Sequence, residues 1–226
     1  MCFSASASFG AGIVLSAIGL VTIKKVKLPA HYPFASIPLI FAVQQFTEGL
    51  LWLALTNPLY ASLQQGSTYS FLFFAQIVWP VWVPFSILLL AEKGKRKTIE
   101  KILVIVGGAV SIYLAYCLVT FNVKANVLGF HIAYKQDYPT GISYYLGVLY
   151  IIATIVPSFY SLIKRMWILG SAILISYIIT TLFYTDYIVS VWCFFASVIS
   201  IIVFAIIYQF DTSNKDLNRG NTLLNH

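Results

Sequence analysis

The chain has 226 residues, of which 60% are hydrophobic and 9% charged, with a mean hydropathy of +0.87. An average soluble domain is about 25% charged, so this composition excludes an ordinary water-soluble globule and points to a polytopic membrane protein. The formal net charge of +7 would suggest nucleic acid in a soluble protein; here the basic residues flank apolar segments, where topology accounts for them and no nucleic-acid partner is expected.

The N-terminus, MCFSASASFG, has no basic residue ahead of the first apolar stretch, so a cleavable signal is not expected. Removal of Met1 would expose Cys2 as a free α-amine beside a thiol, a pair able to ligate a metal or to act as a nucleophile with its own base. Ser4, Ser6 and Ser8 are candidate caps for a first span over 6–23, in which Ser8, Gly12 and Ser16 form a small-residue face for close packing. Pro29 and Pro33 interrupt the chain before a second span, 34–56.

That second span contains QQFTEGLLW. Glu48 lies roughly 12 Å below the nearer boundary at 1.5 Å rise per residue, where a bare carboxylate costs on the order of 3 kcal/mol. The helix is therefore expected to turn it toward other helices. Gln44 and Gln45 stand four and three residues before it and Trp52 four after, so one polar stripe is predicted. Intramembrane ionisable residues are functional candidates for proton, cation or metal binding; the alternative is a neutral acid that ties helices together.

The third span, 69–91, brings Gln76 to a similar depth and carries WPVWVP. Pro80 and Pro84 each remove a backbone donor and leave carbonyls bare, tolerated where they face protein or a wet cavity. Trp79 and Trp82 flank the expected bend, as the wall of a polar pocket or as bundle packing. A fourth span, 99–121, ends near Cys117, and residues 122–141 form a long connection containing His131, readable as a lid or as a tyrosine-rich interfacial segment. Spans five to seven follow at 142–163, 166–184 and 187–209, the last with Ser190, Cys193, Ser197 and Ser200 at helical spacing. The polar tail, 210–226, is expected to be disordered.

These readings give one transmembrane domain over 1–209: an all-α, polytopic bundle of seven helices in the cell inner (plasma) membrane. Of the fourteen basic residues, twelve fall on one side of the bilayer and only Lys124 and Lys135 on the other. The positive-inside rule then places the N-terminus outside and the C-terminus in the cytoplasm. Three cysteines without CxxC spacing describe no disulfide framework.

With MCFSASASFGAG, FAVQQFTEGLLWL, WPVWVPFSILLLAE and SVWCFF in view, the chain resembles an uncharacterised bacterial family of small multipass membrane proteins. They begin MCFSA and carry a QQxxEG segment in the second span. The resemblance covers nearly the whole chain and implies the same fold and inner-membrane location. It draws attention to Cys2, Gln44, Gln45, Glu48, Trp79, Pro80, Trp82, Trp192 and Cys193, and supplies no substrate.

A retinal protein would need a lysine in the last span, and 187–209 has none; an intramembrane zinc hydrolase would need embedded histidines, and His31, His131 and His226 lie outside the predicted spans. Two classes remain. One is a small-molecule or ion binding protein, a carrier or sensor with an outward-facing pocket of Glu48, Gln44, Gln45, Gln76, Trp79, Trp82 and Cys193. The other is a metal- or thiol-dependent membrane enzyme acting on a lipid or thiol, using Cys2, Glu48 and Cys193, with His131 as a further metal ligand. The sequence names no cofactor, and the expected partners are the lipid bilayer and a small molecule or ion.

Overall fold

The structure is a computed structural model that describes residues 4–91, 95–184, 187, 190 and 195–224. It is mostly helical. Helix α1 spans Ala5–Lys24, opened by Ser4, whose hydroxyl accepts from the Ala7 N–H at 3.2 Å. After a turn at Pro29–His31 and the short α2, Tyr32–Ala35, the chain forms α3, Ile37–Thr56. Then come α4 (Gln64–Leu72), a π-helical segment (Phe73–Val78) and α5 (Trp79–Leu90) as one interrupted rod. Helix α6 is Lys95–Thr120, α7 Thr140–Tyr160, α8 Met166–Phe183 and α9 Ala196–Leu224.

Five segments are long and apolar enough to cross a membrane: Ala5–Lys24, Pro29–Thr56, Pro58–Leu90, Lys97–Thr120 and Met166–Phe183. Two shorter apolar helices, Tyr145–Tyr160 and Ala196–Phe210, accompany them. Lipid is as apolar as leucine, so such helices associate through close packing and hydrogen bonds rather than through hydrophobic burial alone. The α1–α3 pair shows this directly. A Cβ on Gly12 would lie 2.8 Å from the Phe46 ring, and one on Gly49 would lie 2.8 Å from the Phe9 ring. Each helix thus offers a glycine gap to an aromatic ring of the other.

The connection after α6 adds an element that sequence periodicity did not announce. Residues Val123–Leu128 (β1) and His131–Gln136 (β2) pair as an antiparallel hairpin, with Val127 opposite Ile132 and Ala125 opposite Tyr134. Gly129, at φ +62°, begins its two-residue loop, where a side chain would be strained. The hairpin folds back on the bundle: Ala125 and Ile132 pack with Leu51 and Trp52 of α3, and Tyr134 stacks on Phe71 of α4 at 5.0 Å between centroids. It lies against the C-terminal end of α3, at Leu51 and Trp52, while the turn at Pro29–His31 precedes the other end of that helix.

The main core lies between these ends. Phe41 stacks on Trp79 at 4.0 Å, and Leu15, Ile87, Met166, Leu169 and Val203 bury their side chains around the pair.

Candidate functional site

The bundle contains a partly open cavity of about 380 Å³, within the range typical of small-molecule sites. Phe41 and Gln44 of α3, Trp79 and Val83 of α5, Ile151 of α7 and Ile173 of α8 are among its walls. Its shape depends on the break in the α4–α5 rod. In the π register an N–H reaches back five residues, and that of Trp79 bonds the Phe74 carbonyl. The next donor in that register would be Pro80, which has no N–H. The Ala75 carbonyl is instead satisfied by the Tyr150 hydroxyl of α7, which donates to it at 2.6 Å. Ser111 of α6 likewise donates to the Ile77 carbonyl at 2.8 Å. One carbonyl bared by a proline thus becomes a polar tie to α7, with the π register placing the orphan at Ala75 rather than at Gln76, and the Ser111 bond adds a tie from α6.

At the hairpin end the cavity wall is polar. Gln76 Nε2 donates to Gln136 Oε1 at 2.8 Å, and the Tyr138 hydroxyl donates to Gln76 Oε1 at 3.1 Å. Burial, followed by the influence of Cys117 and Tyr69, pushes the Tyr138 hydroxyl well above the usual phenol range, so it stays a neutral donor. Deeper in, Trp79 Nε1 donates to Gln44 Oε1 at 2.8 Å. Among the described residues, no side chain lining the cavity is charged.

Glu48 is fully buried beside this cavity without being one of its lining residues. Its Oε1 accepts a 2.6 Å hydrogen bond from the Ser190 hydroxyl, 142 residues away in the chain. Gln45 and Trp52 share its burial but do not line the cavity either; among the described residues both carboxamide atoms of Gln45 and Nε1 of Trp52 have no partner. The polar stripe of the second span thus divides, with Gln44 on the cavity and Gln45, Glu48 and Trp52 off it.

The other sequence-derived candidates separate further. Gln76 and Trp79 line the cavity with Gln44. Trp82 does not line it; its Nε1 donates to the Pro33 carbonyl at 3.0 Å, tying α5 to the turn before α3. His131 sits in β2 with ring centroids of Tyr184 and Tyr187 at 5.4 and 4.8 Å, and burial lowers its pKa from the ordinary 6.5. Cys2, Trp192 and Cys193 lie outside the described residues. Among the described residues no group of three or more His, Cys, Asp or Glu side chains is placed to hold a metal.

Three contributors were not identified from sequence. Gln136 and Tyr138 lie in the connection where only His131 was singled out, although their polar and aromatic character was visible there. Tyr150 gave no signal, because its task is set by a π turn in another helix. A fourth residue not singled out from sequence, away from the cavity, is Glu100, at the edge of the fourth apolar segment: it is only 1% exposed, and among the described residues its Oε2 has no partner.

No curated protein and no solved structure shows significant similarity to the chain. Residues 1–216 match the family of unknown function DUF6629, and the chain, with its π-broken rod, its polar-ended cavity and its buried Glu48, belongs to that family.

Proposed function

We propose that the protein is a multipass inner-membrane binding protein, a carrier or sensor of a small molecule, and that the central cavity is its site. The observation that carries this reading is the cavity itself: about 380 Å³ among helices whose other contacts are close-packed, walled by apolar side chains and ended by Gln76, Gln136 and Tyr138. Close-packed interiors hold few voids larger than a water molecule. The uncharged lining among the described residues favours a small molecule over an ion, since an ion would enter without compensating charge. Glu48 is assigned to joining α3 to Ser190.

Gly147 of α7 provides the test. It lines the cavity, and a Cβ there would meet nothing within 4 Å. Gly147→Leu is expected to fill the site while leaving stability unchanged or raised by up to about 1 kcal/mol, the helix-propensity gain. Organic extracts of both proteins, purified gently from membranes and compared by mass spectrometry, should show a near-stoichiometric compound in the wild type that the variant lacks. Identical extracts would sink the proposal.

We further propose seven spans with the N-terminus outside. Five long segments and two shorter apolar helices support the number, and the twelve-to-two division of basic residues supports the direction. A protease site inserted at Gly129 in the hairpin loop should be cut from the outer face of intact cells and be protected in inside-out vesicles; the reverse pattern would refute the orientation.

A further inference from the structure

We infer that the cavity's ligand is a neutral amphiphile of about a dozen non-hydrogen atoms, with a hydroxyl or carbonyl head at Gln76, Gln136 and Tyr138 and an apolar body reaching toward Val83 and Leu169. This inference rests on the binding-protein reading and narrows it to a chemical class.

Size comes from volume. At roughly 30 Å³ for a water-sized group, a cavity of about 380 Å³ accommodates on the order of a dozen such groups. That matches a single ten-carbon chain with a small head held within the cavity.

Head chemistry comes from the polar end. The chain from Tyr138 through Gln76 to Gln136 uses one hydroxyl donor, one amide donor and two carbonyl acceptors. A carboxamide offers two N–H donors and two acceptor lone pairs, so both glutamines retain unspent capacity at the cavity rim. These groups can receive an uncharged oxygen. They cannot neutralise a carboxylate, phosphate or ammonium, whose desolvation in an otherwise apolar site would go uncompensated.

Tail chemistry comes from the remaining walls. Ile37, Val83, Ile151, Leu169 and Ile173 present only hydrocarbon. Of the polar side chains beside them, Trp79 has committed its N–H to Gln44, Tyr150 its hydroxyl proton to Ala75 and Thr154 its hydroxyl proton to the Tyr150 carbonyl. A second polar group set against the hydrocarbon walls would be left without a partner, at a cost of about 1–3 kcal/mol. These walls therefore favour hydrocarbon over a second polar head.

The experiment uses the full chain in nanodiscs and four ten-carbon probes: decanol, decanoate, decylammonium and decane. The readout is the saturable rise in melting temperature. Decanol should stabilise the wild type at lower concentration than the other three. Gln76→Leu should raise its half-saturating concentration at least tenfold, and Gly147→Leu should abolish the effect. Gln136→Leu, at the partly exposed end of β2, and Tyr138→Phe repeat the head-group test where Gln76→Leu fails to fold; each should weaken decanol and leave decane unaffected. If decane or a charged probe matches decanol, while Gly147→Leu still removes every effect, the ligand class is wrong and the binding cavity stands. If the wild type and Gly147→Leu respond identically to every probe, or no probe shifts the wild type, both the class and the binding reading fall.

Discussion

Gly107→Ala is expected to be the most damaging single-methyl addition in the described chain, lowering stability by about 4 kcal/mol or more. The cause lies in another helix. Pro84 removes the N–H that would bond the Pro80 carbonyl of α5, and α6 passes directly over that oxygen. A Cβ on Gly107 would sit 1.8 Å from the Pro80 oxygen and 2.8 Å from its carbonyl carbon. Both are backbone atoms and cannot rotate away. Only glycine lets α6 approach closely enough for its Cα–H to face the bare acceptor. Forcing the helices apart would also break the bond from Ser111 to Ile77, four residues further along α6. The neighbouring Gly108 supplies the control, since a Cβ there meets nothing within 4 Å. Gly108→Ala should be neutral or stabilising by up to about 1 kcal/mol through helix propensity. Thermal unfolding of both variants in the same detergent decides the matter, and equal behaviour would refute the close α5–α6 contact.

The second large effect is expected at Glu48, and its direction depends on the replacement. Glu48→Leu removes the acceptor of the 2.6 Å bond from Ser190, whose side chain is fully buried. Loss of that buried bond should cost about 1–3 kcal/mol. Glu48→Gln retains an oxygen at the same place and should remain within about 1 kcal/mol of the wild type. Gln45, one turn away, should respond in the opposite sense. Its side chain is 1% exposed with neither carboxamide atom partnered, so Gln45→Met, similar in length and apolar, should stabilise the protein by about 1–2 kcal/mol. Reversible unfolding measured for all three variants tests the set. If Glu48→Gln loses as much as Glu48→Leu, the role of Glu48 goes beyond accepting that bond.

These two sites also show what the sequence could reveal. A carboxyl twelve ångströms or so inside an apolar span must turn inward, because lipid offers it no partner, and Glu48 is indeed buried. The same reasoning from WPVWVP required a bare carbonyl to find a partner; Tyr150 provides one, at Ala75 rather than at Gln76. Apolar segments, their breaks and the distribution of lysines are local properties, set by the cost of placing each residue in hydrocarbon, so they can be read along the chain.

Which partners those groups meet is not local. Gln44 and Gln45 are adjacent in sequence, yet one accepts from Trp79 at the cavity and the other is buried away from it, because successive helical residues point about 100° apart and only packing decides which direction is the interior. The hairpin at Val123–Gln136 was hidden for a related reason: its strands become half-buried only by lying on Leu51, Trp52 and Phe71, surfaces contributed by other helices. The sequence by itself determined a helical chain with segments long and apolar enough to cross a membrane, the burial of Glu48 and the need to satisfy a carbonyl near Pro80. The tertiary structure alone decided that Gln76 joins Gln136 and Tyr138, that Gly107 must be glycine, and that a cavity lies between them, since each depends on contacts between residues far apart in the chain.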